Sequence, residues 1–247
     1  MPRTVNRDAL QQTTLERTRA LVAGGAHPVV VFDVDSTLLD TAYRHHQILI
    51  EAASELRDPA LATLARTLAP SAFGWDVLSV LSDHGFTDVT LHKKVRAAWA
   101  RRFFTDRLCA IDEPYPTAVS FVQQLHRAGA FIYYLTGRPS QTMSVGTVTS
   151  FKRLGLPLMT HRTKLHLKAD PSERDVIYKT AAMDAIRAIG QPVVATFENE
   201  PRNANAFAMA FPDALNVLVD TVHSPNPPPV DDDVVLMTGW GDRPSLA

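Results

Sequence analysis

A short apolar run that ends in acidic residues is the sequence feature that most constrains this chain. Val29 to Phe32 are four successive apolar residues, and Asp33-Val34-Asp35-Ser36-Thr37 follow them directly. An unbroken apolar run of this length, rich in β-branched residues, is typical of a strand buried on both faces of a parallel sheet. In open α/β sheets, ligands bind at the carboxyl ends of the strands. The run therefore predicts an α/β fold with polar chemistry at the end of this strand.

Beyond Pro114 the sequence alternates between patterns typical of helices and patterns typical of strands. We predict helices over residues 116–128, 139–154, 173–189 and 201–210, and strands over residues 130–135, 164–168, 192–197 and 214–220. Gly129, Gly155 and Gly190 mark the ends of the first three helices. Strands that alternate with helices predict a Rossmann-like parallel sheet flanked by helices on both faces.

Residues 44–110 differ from the rest, because they show helical patterns and no strand pattern. Breaks fall at Pro59, Pro70, Gly74 and Gly85. The segment follows the first strand, so we predict an all-helical cap inserted into the core. The α/β core then comprises residues 1–43 and 111–247, with an N-terminal helix over 6–23 and a Pro-rich, irregular C-terminal tail. Whether the N-terminal helix packs on the core or mediates a dimer is left open.

Composition narrows the classes of function. The 247 residues carry a net charge of −1, so no global field attracts nucleic acid or an anionic membrane. The single cysteine, Cys109, can form neither an internal disulfide nor a zinc site. No segment has the ~18 uninterrupted apolar residues of a membrane span, and no signal-peptide pattern opens the chain. We expect a cytoplasmic protein that binds a small substrate and neither nucleic acid nor a membrane; the oligomeric state is left open.

Asp33 and Asp35 form the first candidate site. Two carboxylates separated by one residue at a strand end can both face the same cleft. Because they repel each other, they stay ionised only beside a cation or with a shared proton, and oxygen ligands favour a hard cation such as Mg²⁺. A carboxylate can also act as a nucleophile and form an aspartyl-phosphate. The alternative is a strand end with solvated acids.

The next predicted strand ends in Thr136-Gly137-Arg138. A hydroxyl and backbone N–H groups at a helix start can bind phosphate, although such a turn can also serve only to begin a helix. Lys179 lies in the helix before the fourth strand, where it could neutralise a phosphoryl group and Asp33. Lys168 and Lys164 are alternatives for that role, and a solvated helix lysine is the alternative for Lys179.

Glu198 and Glu200 follow the strand at residues 192–197, with Asn203 close by. Acids at this strand end could complete a metal site. The alternative is a helix start whose dipole favours acids, with Pro201 at the first helical position.

The order of these segments is more specific than any segment alone. DVDST at residues 33–37, LTGR at residues 135–138, a lysine before the fourth strand and an acid at its end resemble the haloacid dehalogenase-like (HAD) hydrolase superfamily. The resemblance covers roughly residues 29–220, and the helical insert resembles the C1-type cap of that family. It implies a magnesium-dependent hydrolase with a Rossmann-like core.

The resemblance also implies roles for individual residues. Asp33 would be the nucleophile, and Asp35 would be the general acid for the leaving oxygen and then the general base for water. Thr136 would bind the phosphoryl oxygens, and Lys179 would hold both the nucleophile and the phosphoryl group. Mg²⁺ would be bound by Asp33, the backbone carbonyl of Asp35 and Glu198.

One departure from the family pattern concerns the last acid. The family usually has aspartate at the position of Glu198, often followed by a second acid, whereas Asn199 follows here. We keep Glu200 as an alternative metal ligand, and Asn203 as an outer partner of the metal site.

Asp35 distinguishes between reaction types in this family. Dehalogenases lack an acid at this position because halide needs no proton, whereas an alkoxide gains about 10²–10⁴-fold from general acid catalysis. The sequence therefore favours a phosphatase of a small phosphorylated metabolite. A phosphomutase or phosphotransferase remains open, and the Glu198 and Asn199 departures keep a catalytically weak binding or regulatory protein open.

The insert supplies candidates for contact with the leaving group. Tyr43, Arg44, His45 and His46 follow the first strand closely, and we assign Arg44 and His46 to substrate binding together with residues 136–138. The two histidines could also be surface residues of a helix start. The basic run at Lys93, Lys94, Arg96, Arg101 and Arg102 is typical of a solvated face. Trp75, Trp99, Phe103 and Phe104 are predicted as the core of the cap rather than as a stacking platform.

Overall fold

The computed structural model describes residues 2–241. The helices in this part are α1 Arg7–Ala23, α2 Ala42–Leu56, α3 Pro59–Thr67, α4 Val77–Asp83, α5 Val89–Ala100, α6 Asp106–Cys109, α7 Ala118–Arg127, α8 Ser140–Leu154, α9 Asp175–Arg187 and α10 Pro201–Ala210. The strands are β1 Arg3–Val5, β2 Val29–Phe32, β3 Leu39–Asp40, β4 Glu113–Pro114, β5 Phe131–Pro139, β6 Thr163–Lys168, β7 Val193–Glu198, β8 Leu215–Val219 and β9 Val234–Met237.

Seven of these strands form one parallel sheet in the order β1-β9-β8-β7-β2-β5-β6. Helices cover the sheet, so the predicted Rossmann-like α/β fold is confirmed. The central strand is β2, which pairs with β5 on one side and β7 on the other. The strands with the predicted chemistry are therefore next to each other, although β5 and β7 are far apart in the sequence.

The two faces of β2 contact different parts of the core. Val30 and Phe32 belong to a cluster that includes Phe121 of α7, whereas Val29 and Val31 pack with residues of α9 and α10. Successive side chains of a strand point to opposite faces, so both faces of β2 are covered. This confirms that the continuous apolar run is a strand buried on both sides.

The N-terminal helix packs on the core. Leu10 and Leu15 of α1 are buried in the same cluster as the central strand, so the helix packs on the core; a role of α1 in a dimer stays a hypothesis. Asn6 caps α1, because its side chain accepts hydrogen bonds from the backbone N–H groups of Asp8 and Ala9.

Two neighbouring strands on one side of the sheet were not predicted from the sequence. Strand β1 is at the edge and begins with the exposed polar residues Arg3 and Thr4, whereas β9 is an apolar run that lies between β1 and β8. The two strands pair with each other, with Arg3 opposite Val235. A three-residue edge strand carries little apolar pattern, so β1 is identified by its pairing, whereas the apolar run of β9 was a signal that the prediction did not use.

Helices α2–α6 lie between β3 and β4, which form a small antiparallel pair. Leu39 is opposite Pro114, so the entry and the exit of the insert are held together. The insert has a hydrophobic cluster of its own, formed by buried residues such as Leu49, Leu61 and Leu81. These features agree with an insert near residues 44–110; its role as a separate cap stays a prediction.

None of the helices within residues 2–241 is long and apolar enough to cross a membrane. The cytoplasmic location expected from the sequence stays a prediction.

Candidate active site

Three neighbouring strand ends bring the predicted catalytic side chains together. Asp33 follows β2, Thr136 lies in β5, and Glu198 is the last residue of β7. Phe32 is paired with Tyr134 of β5 and with Phe197 of β7, so the three ends are level. All three side chains line one cavity of about 680 Å³, a volume typical of small-molecule sites.

Lys179 of α9 joins two of these carboxylates. Its ammonium nitrogen lies 2.7 Å from Asp33 Oδ1 and 2.7 Å from Glu198 Oε2, and the lysine side chain is buried. Helix α9 packs against the sheet through Tyr178 and Met183. Because Lys179 follows Tyr178 directly, this packing holds the ammonium beside Asp33.

Neither alternative lysine pairs with Asp33 in the described part of the chain. Lys168 borders the cavity, but its Nζ donates to the backbone oxygen of Glu173 at 3.1 Å and lies 3.8 Å from Asp175 Oδ1, and Lys164 is exposed on β6. Of the three candidates, Lys179 is therefore the lysine that the fold brings to Asp33.

When both are ionised, Asp33 and Glu198 carry more negative charge than the ammonium of Lys179 balances. Burial raises the pKa of Glu198, and the charge of Asp33 raises it further, to about 8. Burial also raises the pKa of Asp33, against the opposing effect of Lys179. Two buried carboxylates that share one ammonium leave one charge unbalanced, and a hard cation with oxygen ligands would balance it.

The donor set fits such a cation. Within residues 2–241, no cluster of three or more His, Cys, Asp or Glu side chains is arranged as a metal site. A cation here would therefore depend on the Asp33 and Glu198 carboxylates and on backbone oxygen, as the family resemblance implies for the carbonyl of Asp35. These are the ligand types that Mg²⁺ prefers.

The two glutamates at the end of β7, Glu198 and Glu200, have different surroundings. Glu198 is fully buried, and its Oε1 accepts the backbone N–H groups of Asn199 at 3.1 Å and Glu200 at 3.0 Å. Glu200 instead accepts the backbone N–H of Ser224 at 2.8 Å and its hydroxyl at 2.6 Å. Glu198 therefore faces Asp33, whereas Glu200 anchors the segment after β8. Asn203 donates to Asp175 Oδ2 at 3.2 Å, in the same cavity.

Asp35 belongs to a second ionic cluster. Arg44 of α2 and Arg138 of β5 both donate to its Oδ1, and the Arg138 Nη2–Oδ1 distance is 2.6 Å. The same two guanidinium groups bind Asp112, with Arg44 Nε 2.6 Å from its Oδ1. Burial opposes ionisation of Asp35, but Arg138 and Arg44 outweigh it and hold the pKa of that carboxyl well below its usual range. Asp35 is an anion in this arrangement.

This cluster changes the assignment of the predicted substrate-binding residues. The Arg44 and Arg138 side chains are completely buried and paired, so neither is available to a substrate. The imidazole Nε2 of His46 lies 2.9 Å from the backbone oxygen of Ala65, whereas His45 lines the cavity. Of the five residues predicted to bind substrate, Thr136 and Gly137 face the cavity.

Gly137 is required by close approach rather than by backbone conformation. A Cβ atom at this position would lie 2.3 Å from Asp175 Oδ1, the carboxylate at the start of α9. A larger residue would displace the Asp175 carboxylate, whose Oδ2 lies 3.5 Å from Lys179 Nζ.

A family model of haloacid dehalogenase-like hydrolases matches residues 27–151. This match covers half of the chain and includes Asp33, Asp35 and Thr136. The protein belongs to the haloacid dehalogenase-like hydrolases.

Solved structures support the fold of this HAD-like hydrolase. A protein assigned as a phosphatase from Clostridium difficile superimposes with a TM-score of 0.56 at 12% identity, over 87% of this chain and 95% of its own. A HAD-like hydrolase from Burkholderia xenovorans LB400 gives a TM-score of 0.52 at 16% identity, over 87% and 96%. At these identities the likeness concerns the fold alone. A search of the curated proteins found no match.

The insert of this HAD-like hydrolase lines the cavity with aromatic rings, contrary to the expectation that they form only its core. Phe103 is buried and packs with Ile48 and Leu108, but Trp75 and Phe104 are 47% and 41% exposed and border the cavity. Of the predicted basic run, Arg96 also borders the cavity, whereas Arg101 and Arg102 pair with Glu55.

Several site residues were not singled out by the sequence analysis. They are Asp112 in the second cluster, and Asp175, Arg174, Arg202 and residues 222–228 around the cavity. Asp175 has a detectable signal, because it lies four residues before Lys179 on one helix face. Asp112 has none, since its partners are 26 and 68 residues away in the sequence.

Proposed function

We propose that this HAD-like hydrolase is a magnesium-dependent phosphatase that hydrolyses phosphate monoesters of small metabolites through an aspartyl-phosphate on Asp33. The observation that carries the proposal is the position of Lys179, whose ammonium lies 2.7 Å from both Asp33 and Glu198 in the cavity. A nucleophilic carboxylate needs a fixed orientation and a nearby positive charge for the phosphoryl oxygens, and Lys179 supplies both.

The proposed reaction has two steps. Asp33 attacks phosphorus, the bond to the leaving oxygen breaks, and a phosphoryl group remains on the carboxylate. Water then attacks phosphorus, gives up a proton and releases phosphate, which restores Asp33. Thr136 and Lys179 bind the phosphoryl oxygens in both steps. A Mg²⁺ ion held by Asp33, Glu198 and the carbonyl of Asp35 would neutralise negative charge on the transferred group.

The structure bears on the acid–base role proposed for Asp35. The two guanidinium groups that keep Asp35 ionised also lower its basicity, so in this conformation the carboxylate is a weak proton acceptor. To donate a proton to the leaving oxygen or to accept one from water, Asp35 first has to separate from Arg44 and Arg138. We propose that both roles belong to a conformation in which these hydrogen bonds are broken.

Arginine side chains around the cavity support the proposal of an anionic substrate. Arg96 from the insert and Arg174 and Arg202 from the core line the cavity, and none of them forms an ion pair with a residue in the described part of the chain. The net charge of −1 supplies no long-range attraction, so these side chains would provide it locally.

The test compares hydrolysis of p-nitrophenyl phosphate and acetyl phosphate by the wild type, Asp33→Asn and Asp76→Asn, with Mg²⁺ and with EDTA. Asp76 also lines the cavity but caps α4, and asparagine caps helices equally well, so Asp76→Asn is the matched control. We expect magnesium-dependent release of phosphate that disappears in Asp33→Asn and persists in the control.

Three results would contradict the proposal. Turnover that survives Asp33→Asn excludes Asp33 as the nucleophile. Folded wild type that binds phosphate monoesters without hydrolysing them supports a binding or regulatory protein. Transfer of phosphate to an added alcohol in preference to water, seen by ³¹P NMR, supports the phosphotransferase alternative.

A further inference from the structure

The cavity of this hydrolase has two chemically different walls. The core contributes carboxylates, Thr136 and Lys179. The insert contributes the rings of His45, Trp75, Trp99, Phe103 and Phe104. A phosphoryl group bound at Asp33 meets the polar wall, so the rest of the substrate is left to contact the aromatic one.

Four rings of the aromatic wall, those of His45, Trp99, Phe103 and Phe104, fix each other. Trp99 and Phe103 stack with centroids 4.6 Å apart, and Phe104 meets both nearly at right angles, at 5.8 Å and 5.0 Å. Trp99 Nε1 donates to His45 Nδ1 at 3.1 Å, which sets the orientation of both rings. A wall held in this way loses little conformational freedom when a ligand binds.

Two rings of the wall remain uncovered. Trp75 is 47% exposed and Phe104 is 41% exposed, although most aromatic residues of the insert are packed against neighbours. No residue between 2 and 241 accepts a hydrogen bond from the indole of Trp75. Large aromatic surface that borders a concave site is typical of ligand recognition, because these rings gain most from being covered.

We propose that the leaving group of the substrate carries a planar aromatic ring that packs on Trp75 and Phe104. This inference rests on the proposed phosphatase function and specifies its substrate class. An aliphatic group of the same size would gain from burial alone. An aromatic ring adds the favourable stacked and edge-to-face contacts between rings, which correspond to about threefold to tenfold in binding for each pair.

The test uses benzyl phosphate and cyclohexylmethyl phosphate. Both release a primary alcohol, so the demand for a proton on the leaving oxygen is similar and the six-membered ring is what differs. We expect the wild type to show a kcat/KM about tenfold higher for benzyl phosphate, with most of the difference in KM. Trp75→Leu and Phe104→Leu should each lower this ratio by about threefold to tenfold. Trp75→Phe and Phe104→Tyr, which keep a ring, should preserve most of it.

The ratio is insensitive to partial misfolding, because a loss of folded enzyme lowers both rates equally. Equal kcat/KM values for the two esters in the wild type would overturn the inference, as would a preference that both leucine variants retain. In either case, magnesium-dependent turnover that needs Asp33 would leave the proposed phosphatase function standing.

Failure of the proposed function gives a different result. Binding of the two esters to Asp33→Asn can be followed by tryptophan fluorescence, without any turnover. If no ester is hydrolysed by the wild type but benzyl phosphate still binds about tenfold more tightly than cyclohexylmethyl phosphate, the phosphatase proposal fails and the aromatic site remains. If the wild type hydrolyses neither ester and neither ester binds to Asp33→Asn, the phosphatase proposal and the inference of an aromatic leaving group both fail.

Discussion

Two buried ionic clusters lie side by side in this hydrolase, and they differ in countercharge. Asp33 and Glu198 share the single ammonium of Lys179. Asp35 and Asp112 share two guanidinium groups, those of Arg44 and Arg138. The first cluster is therefore electrostatically incomplete, whereas the second balances itself. The two acids of one DxD motif therefore have different surroundings: Asp33 shares an ammonium with a second carboxylate, whereas Asp35 is held by guanidinium groups of the framework.

The balanced cluster also joins parts of the chain that are distant in sequence. Arg44 lies at the start of the insert and Asp112 at its end, while Arg138 comes from β5 of the core. Breaking one member of such a cluster leaves a buried charge without a partner, which is far more costly than losing an exposed ion pair.

The largest expected change in the free energy of unfolding comes from breaking the balanced cluster. Asp112→Asn should lower the free energy of unfolding by about 3–5 kcal/mol, because both arginines lose a buried partner. Urea unfolding in EDTA measures it. Arg101→Gln, which breaks an exposed ion pair with Glu55, is the control and should leave stability nearly unchanged. A loss below about 1 kcal/mol in Asp112→Asn, in the range of surface pairs, would remove the distinction between the clusters.

A smaller change in stability is expected when a cation binds at the incomplete cluster. Mg²⁺ at about one hundred times its dissociation constant should stabilise the wild type by about 2.7 kcal/mol, since it binds the folded state alone. Thermal unfolding with Mg²⁺ and with EDTA measures the difference. Glu198→Gln should lose most of this response, whereas Asp112→Asn should keep it. An equal response in wild type and Glu198→Gln would show that the ion binds elsewhere.

The smallest expected effect is a gain in stability when a charge is removed from the incomplete cluster. Asp33→Asn should raise the free energy of unfolding in EDTA by about 1 kcal/mol, because it removes the unbalanced charge that raises the pKa of Glu198. Urea unfolding of the variant beside wild type and Asp112→Asn completes the comparison. Destabilisation by Asp33→Asn as large as that of Asp112→Asn would mean that both clusters are structural.

The sequence was most informative where local pattern and chemistry coincide. The run from Val29 to Phe32 predicted a central strand with its bounds, and the residues after it predicted the nucleophile position. Helix α10 was predicted with its bounds as well, because Pro201 begins it. Edge strand β1 was not predicted because its three residues carry little apolar pattern, and the apolar run of β9 was overlooked because it follows the irregular tail.

In the candidate site, too, some residues could be predicted from local motifs and others could not. Asp33, Thr136, Lys179 and Glu198 were predicted from motifs, and the fold places them around one cavity. Arg44 and Arg138 were assigned to substrate, because sequence patterns reveal the charge of a side chain and not its partner. The partner, Asp112, has no motif, and a buried ion pair between distant residues leaves no periodic signal.

The α/β architecture, the inserted helical segment and the residue types of the candidate site could be predicted from the sequence, because hydrophobic periodicity and strand-end motifs are local properties. Which lysine reaches Asp33, which arginines are already neutralised and which aromatic rings face the cavity depend on the tertiary structure. These are decided by distances between segments that are remote in the sequence, and burial and charge pairing act through those distances.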